Sequence, residues 1–174
     1  LYPSNLYGWS KYVAEQYVVS KGGVALRYFN VYGPKEAHKG AMSSVAYQML
    51  EKYKKGEEIK IFPLHPKRDF VYVKDVCDIL YWFITNRKHS DIYNLGTGVA
   101  ETFENLALRT IEHTGISGEI KYIDTPLDIR DKYQYYTCAN MSKLRNIGYT
   151  NKFHSLNEGI KDYITQYLNP QQYL

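Results

Sequence analysis

A phenol and an ammonium one helical turn apart are the parts of a proton-transfer device, and "NLYGWSKYVAEQYV" (residues 5–18) supplies them as Tyr7 and Lys11. A free phenol ionises near pH ~10 and is a weak base at neutrality; a neighbouring ammonium favours the phenolate. Helical spacing puts Tyr7, Lys11 and Ala14 on one face with Ser10 beside them. The small side chains at 10 and 14 leave that face open to a ligand, while Trp9 and Val13 point elsewhere and are expected to pack. Spacing alone decides nothing. With 19 Tyr and 16 Lys in 174 residues, about one or two Tyr-x-x-x-Lys matches arise by chance, and Tyr17 with Lys21 is a second one.

The elements that must hold such a pair alternate along the chain. A helix capped by Ser4 or Asn5 runs to about Lys21 and stops at Gly22-Gly23. An apolar strand, Val24 to Phe29, leads into a loop marked by Gly33 and Pro34, and a helix is expected from about Gly40 to Lys55, with Gly56 ending it. "EIKIF" and "RDFVYV" read as strands around a turn-like "PLHPK". "VKDVCDILYWFITN" reads as a helix capped near Asp75. "DIYNLGTG" is a strand closing on a glycine turn, followed by a helix between Thr102 and Gly115. A strand "EIKYID" and two helices, "MSKLRNIG" and "SLNEGIKDYITQYL", finish the chain. Strands alternating with helices give an α/β class.

Composition narrows the function classes. With 44% hydrophobic and 23% charged residues the chain reads as globular. The net charge of +4 is scattered among carboxylates, so no basic stripe is present for a nucleic acid. No apolar run reaches the ~18 residues a membrane span needs. Cys77 and Cys138 have neither Cys-x-x-Cys nor Cys/His spacing and read as reduced core thiols rather than a metal site or a disulfide, with a cytoplasmic setting as the default.

Four stretches then fall in order: "YGWSK", "RYFNVYGPKEAHKG", "KRDFVYVKDV" and "YNLGTG". Together they resemble the C-terminal half of an extended short-chain dehydrogenase/reductase acting on a nucleotide-linked sugar. "NVYGPKEAHKGAMSSVAYQ" is most similar to the branch that epimerises an ADP-linked heptose at C6. The resemblance covers nearly the whole chain and implies an extended Rossmann-type fold with a smaller α/β substrate domain. Residues 1–34 would be the last part of the dinucleotide-binding domain and 35–174 mainly the substrate domain, with 70–98 returning to the Rossmann core.

The resemblance also implies roles. Tyr7 is the catalytic base, Lys11 its partner and a cofactor contact, and Lys39 of the "HKG" loop a second acid/base that also meets the cofactor. Val31 contacts the cofactor and Asn30 the substrate. Arg68 meets the diphosphate, as a planar, always-charged fork suits; without the motif, pairing with Asp69 or another surface carboxylate reads equally well. The segment from Phe62 to about His65 lies along the nucleotide, and Tyr133 is a late substrate contact. Tyr17 and Lys21 lack that context and read as helix surface. Gly96 and Gly98 read as a turn, not a phosphate cradle.

Ala41 stands where the family tends to have a substrate-contacting serine, Gln48 where it tends to have a histidine, and "FPLHPKRDF" is shorter than its usual counterpart. The implied cofactor is NADP, with NAD the alternative, and the implied partner is ADP-heptose or a related nucleotide-sugar, in a full-length homo-oligomer. A UDP- or dTDP-sugar epimerase or dehydratase, or a non-catalytic sugar-nucleotide-binding module, are the other readings. The Gly-x-Gly-x-x-Gly loop and ribose reader of such enzymes are not among these residues. The expectation is that they lie upstream, and that this chain alone binds NADP weakly or not at all.

Overall fold

The computed structural model describes residue 3 and residues 5–63, 65–116, 118–126, 130 and 133–170. Helix α1 spans Leu6–Ser20, and its cap is Asn5, whose Oδ1 accepts the Gly8 N–H at 2.8 Å; Ser4 lies outside the described residues. Strands β1 (Ala25–Tyr28) and β2 (Asn30–Tyr32) follow, then a 3-10 segment (Ala37–Met42), α2 (Val45–Lys54) and β3 (Ile59–Ile61). Next come β4 (Lys67–Arg68), β5 (Phe70–Tyr72), α3 (Val73–Thr85), β6 (Ile92–Leu95), β7 (Glu101–Thr102) and α4 (Phe103–Thr114). The chain closes with β8 (Ile120–Tyr122), α5 (Ser142–Asn146) and α6 (Leu156–Tyr163), which runs into a π-helical turn, Ile164–Leu168. The α/β class expected from the alternation is what forms.

Among the described residues the strands pair two by two. β1 lies parallel to β6, β2 to β5 and β3 to β8, while β4 and β7 are antiparallel. Successive residues of β5 feed different cores, as the two-residue strand period requires. Val71 joins Val76, Ile79, Phe83, Tyr93 and Leu95. Phe70 and Tyr72 join the cluster of Met49, Leu50, Ile59, Leu106, Ile160 and Tyr163.

Several boundaries differ from expectation for local reasons. Asn30–Tyr32, expected as loop, is a strand because the backbone of β5 lies alongside it in register. The helix expected from Gly40 begins at Val45: Gly40 sits at φ 52°, ψ −123°, outside helical space, and Ser44 supplies the cap by accepting the Tyr47 N–H. Asp75 does not cap α3, whose N-cap is Tyr72. At 2% exposure it instead accepts both the backbone N–H of His154, at 3.0 Å, and a contact from its ring Nδ1, at 2.6 Å. Cys77 and Cys138 are free, but neither is a core thiol. Cys77 is exposed one position round α3 from buried Val76, and Cys138 is half-buried.

Helix α1 buries no residue. Trp9 and Val13, expected to pack, are 43% and 58% exposed, because among the described residues the main support of α1 is the short strand β1. Arg27 of β1 ties it there, Nε donating to Glu15 Oε2 at 2.7 Å, with a second contact from Nη2 to Oε1. The Arg27 hydrogen bond holds the Glu15 carboxyl below its ordinary value of 4.5. Its stabilisation is therefore complete above that ordinary value and is lost as pH falls through the lower folded one. Because Arg27 is partly exposed and screened, Glu15→Gln should cost no more than about 1 kcal/mol at neutral pH. Urea unfolding in a series from pH 7 into acid should show this difference at pH 7 and a progressive loss of it below the ordinary carboxyl value.

Candidate active site

Both Tyr-x-x-x-Lys matches form the same local geometry. Lys11 Nζ lies 5.2 Å from the Tyr7 ring centroid and Lys21 Nζ 5.7 Å from that of Tyr17. Tyr7 is 72% exposed, and Lys11 has no carboxylate partner among the described residues. Ser10 and Ala14 are exposed beside them, and the Ser10 hydroxyl turns back to donate to the Tyr7 carbonyl at 2.7 Å. An ammonium without an ion pair next to a solvent-facing phenol fits a hydroxyl-rich cofactor, whose ribose the ammonium would hold while the phenol stays available.

Arg68 lines one cleft, and its guanidinium faces two rings that line a second. One, of about 620 Å³, is lined by Arg27, Phe29, Asn30, Arg68, Asn94 and Gln134, among others, so Asn30 and Arg68 come together as expected. The second, of about 190 Å³, is lined by Phe62, Tyr133, Phe103 and Met49, among others, and brings together the other two nucleotide candidates. Phe62 and Tyr133 meet edge to face at 5.4 Å. The Arg68 guanidinium lies 5.4 Å from the Tyr133 ring and 5.8 Å from that of Phe103. It has no carboxylate partner among the described residues; its Nη1 donates to the Lys67 carbonyl at 2.9 Å. Burial raises the Tyr133 phenol above its ordinary value, with the Arg68 charge working against this, so the hydroxyl remains a donor at neutral pH. Val31, on β2, is half-buried against the core cluster around Val71. His65 carries a left-handed φ of 44°, and its Nδ1 is 3.2 Å from Glu104 in the first turn of α4, which fixes the end of the Phe62–His65 segment.

Lys39 projects from the 3-10 segment and is exposed, its backbone N–H donating to the Glu36 carbonyl at 3.0 Å. The two departures beside it meet each other: Gln48 Nε2 donates to the Ala41 carbonyl at 3.1 Å and to that of Ser43 at 2.9 Å. A histidine in place of Gln48 could not make this pair of bonds from one nitrogen. Tyr7, Lys11 and Lys39 line neither cleft.

The sequence of residues 1–96 matches the family described as the NAD dependent epimerase/dehydratase family. The chain belongs to that family. The match takes in every expected site residue except Tyr133. The chain is 40% identical to the ADP-L-glycero-D-manno-heptose-6-epimerase of Fusobacterium nucleatum, over 97% of its own length and 56% of that protein. Among solved structures, the ADP-L-glycero-D-manno-heptose-6-epimerase of Helicobacter pylori superimposes with a TM-score of 0.80 at 32% identity, covering 95% of this chain and 52% of that one. The UDP-glucose 4-epimerase of Thermotoga maritima, solved with UDP-glucose, gives 0.80 at 29% identity, covering 98% and 55%. The chain thus spans about half the length of the relatives it matches.

In this epimerase/dehydratase chain two carboxylates carry more than the sequence revealed. Asp69 is fully buried and does not pair with Arg68. It accepts from the backbone N–H groups of Thr97 at 2.8 Å, Gly98 at 2.9 Å and Ala139 at 3.0 Å, and from the Thr97 hydroxyl at 2.7 Å. The "YNLGTG" turn is therefore an anion cradle filled by the chain's own carboxylate, and Asp69 breaks the expected strand into β4 and β5. A Cβ on Gly96 would lie 2.6 Å from Asp69 Oδ2. Glu36, 5% exposed, anchors the loop that bears Lys39. Neither residue has a periodicity signal; each is a lone carboxylate in a short connection.

Proposed function

We propose that the protein carrying this chain inverts C6 of the heptose in ADP-D-glycero-D-manno-heptose, in the cytoplasm, by transient oxidation and reduction, for surface-polysaccharide synthesis. The observation that carries the reading is Arg68, which has no ion pair among the described residues, lines the cleft holding Asn30 and lies against Phe103 and Tyr133, two rings of the cleft holding Phe62. Such a set suits a nucleoside diphosphate: cation to phosphates, aromatic rings to base. The choice of sugar is carried over from the heptose epimerases to which the chain is similar.

Hydride carriage at C6 is the chemistry that a bound NADP would supply; family membership supports the nicotinamide class, and the choice of NADP over NAD follows the heptose branch. Lys11 and Val31 would hold it, with Lys39 nearby. Tyr7 takes up the hydroxyl proton as the carbonyl forms, and on reduction Lys39 supplies the proton to the new hydroxyl, exchange with solvent then resetting both groups. The new hydroxyl lies on the other face of the carbon, and Lys39 serves that face. On this reading residues 1–34 and 70–98 attend the cofactor, the remainder of 35–174 attends the sugar nucleotide, and the full-length enzyme is a homo-oligomer.

Incubating the full-length protein with ADP-heptose and with UDP-sugars tests the proposal: C6 inversion of ADP-heptose is expected, and turnover of UDP-sugars alone would overturn it. The Gln48 bonds to Ala41 and Ser43 favour the second reading, a different nucleotide-sugar, because they tie up the amide that would otherwise meet the sugar. Arg68→Lys should lower kcat/KM by roughly 10- to 100-fold, mainly through KM, because an ammonium replaces neither the fork nor the stacking. Steady-state kinetics at fixed ionic strength would check this.

A further inference from the structure

Resting on the reading above, which makes Lys39 an acid/base, we propose that Glu36 is the positioning residue of the Lys39 arm, and that Tyr163 of α6 takes part in holding it. Residues 37–42 are all exposed, yet the arm has a rigid base. The buried Glu36 carboxylate accepts from the Ser44 N–H at 2.6 Å, the Ser44 hydroxyl at 2.7 Å, the Tyr163 hydroxyl at 3.0 Å and the Gly33 N–H at 3.4 Å. One carboxylate thereby fastens the entry to the arm, its exit at the cap of α2, and a helix more than a hundred residues away in sequence. Lys35 at φ 69° and Gly40 at φ 52° bracket the lysine with left-handed turns that fix the direction of the arm.

A surface loop needs no buried carboxylate with four donors. Burying one is costly unless every lone pair is used, and here the donors converge from both ends of the segment that bears Lys39. The Tyr163 phenol is pushed well above its ordinary value, first by burial and then by the Glu36 charge, so it remains a donor at working pH. Displacing a reacting group by about 1 Å costs roughly 100-fold in rate, so the clamp matters to Lys39 even though Glu36 touches no substrate.

Two measurements test this with Glu36→Gln and Tyr163→Phe. In this chain, hydrogen exchange at the Lys39, Ser43 and Ser44 amides should accelerate at least ~10-fold while amides in α4 keep their rates. Unchanged rates in the arm, or an equal acceleration in α4, would overturn the clamp. In the full-length enzyme Glu36→Gln should lower kcat roughly 10- to 100-fold with little change in KM, and Tyr163→Phe should lower it less. A kcat equal to that of the unmodified enzyme in both variants would overturn the positioning role. If Glu36→Gln does not fold, Tyr163→Phe alone decides, since it removes one of the four donors and leaves the carboxylate its bonds to Ser44 and Gly33. Failure of the unmodified full-length protein to turn over any nucleotide-sugar would defeat the proposed function, and the exchange data would still decide the clamp.

Discussion

Tyr7→Phe is expected to lower kcat of the full-length protein in the proposed reaction by roughly 100- to 10,000-fold, the range that removing a positioned acid/base covers. KM should move little and the melting temperature not at all. The ring that remains still supports the Lys11 contact, and the Tyr7 side chain buries nothing: 72% of the residue faces solvent. The decisive control is Tyr17→Phe. Tyr17 has the same spacing, the same lysine over its ring and a similar exposure of 64%, so any effect of local electrostatics or helix stability would appear in both variants. A loss of activity confined to Tyr7→Phe supports the assignment. Equal activity of the two variants would remove Tyr7 from the mechanism, and would leave Lys39 or a group outside this chain as the base.

The largest stability effect is expected at Asp69. Asp69→Ala leaves the amides of Thr97, Gly98 and Ala139 and the Thr97 hydroxyl without their acceptor in a fully buried position. Each orphaned donor costs about 1–3 kcal/mol where water cannot reach it. Partial relaxation and water entry bring the expected total to roughly 3–5 kcal/mol, a fall in melting temperature of roughly 10 °C for a chain of this size. Asp69→Asn keeps the shape but turns an NH2 group toward donors, and should recover only part of the loss. Gly96→Ala attacks the same cradle from the other side, since its added carbon would lie 2.6 Å from both Asp69 Oδ2 and the Ala139 Cβ. Calorimetric melting of the three variants checks this, and a shift of less than about 2 °C for Asp69→Ala, under 1 kcal/mol on that scale, would mean that the cradle is not what holds β4, β6 and the 137–140 strip together.

Much of the fold could be read from local signals because those signals are local in origin. Thr102 caps α4 by accepting the Asn105 N–H at 3.0 Å, and Gly115 ends it at φ 66°, both as the side chains alone predicted. Ser155 and Glu158 close a capping box at the start of α6. The pairs Asn30 with Arg68 and Phe62 with Tyr133 also came together, from ordered motifs rather than periodicity. What the sequence concealed depends on distant partners. Nothing around Glu36 announces Tyr163, and nothing around Asp69 announces Ala139. The adjacent charges of Arg68 and Asp69 suggested a pair, yet consecutive residues of an extended chain point to opposite sides, so one reaches the aromatic cleft while the other turns into the core. The expected packing of Trp9 and Val13 failed because, among the described residues, α1 lies mainly on the short strand β1 and buries no side chain.

That opposition between Arg68 and Asp69 sets a rule of parity for insertions and deletions. Upstream of Lys67 the described residues Pro63, His65 and Pro66 lie outside the strand pairing, so a change of length there leaves the register of β4 where it is. From Lys67 to Tyr72, losing or gaining a single residue would exchange the two sides of the strand, sending the guanidinium toward the amides of Thr97 and Gly98 and the carboxylate toward the aromatic cleft. Both the cradle and the cleft would then face a charge of the wrong sign. Length variation among proteins of this kind should therefore stop abruptly at Lys67, and a library of single-residue deletions across 62–72 should show tolerance up to that residue and collapse beyond it.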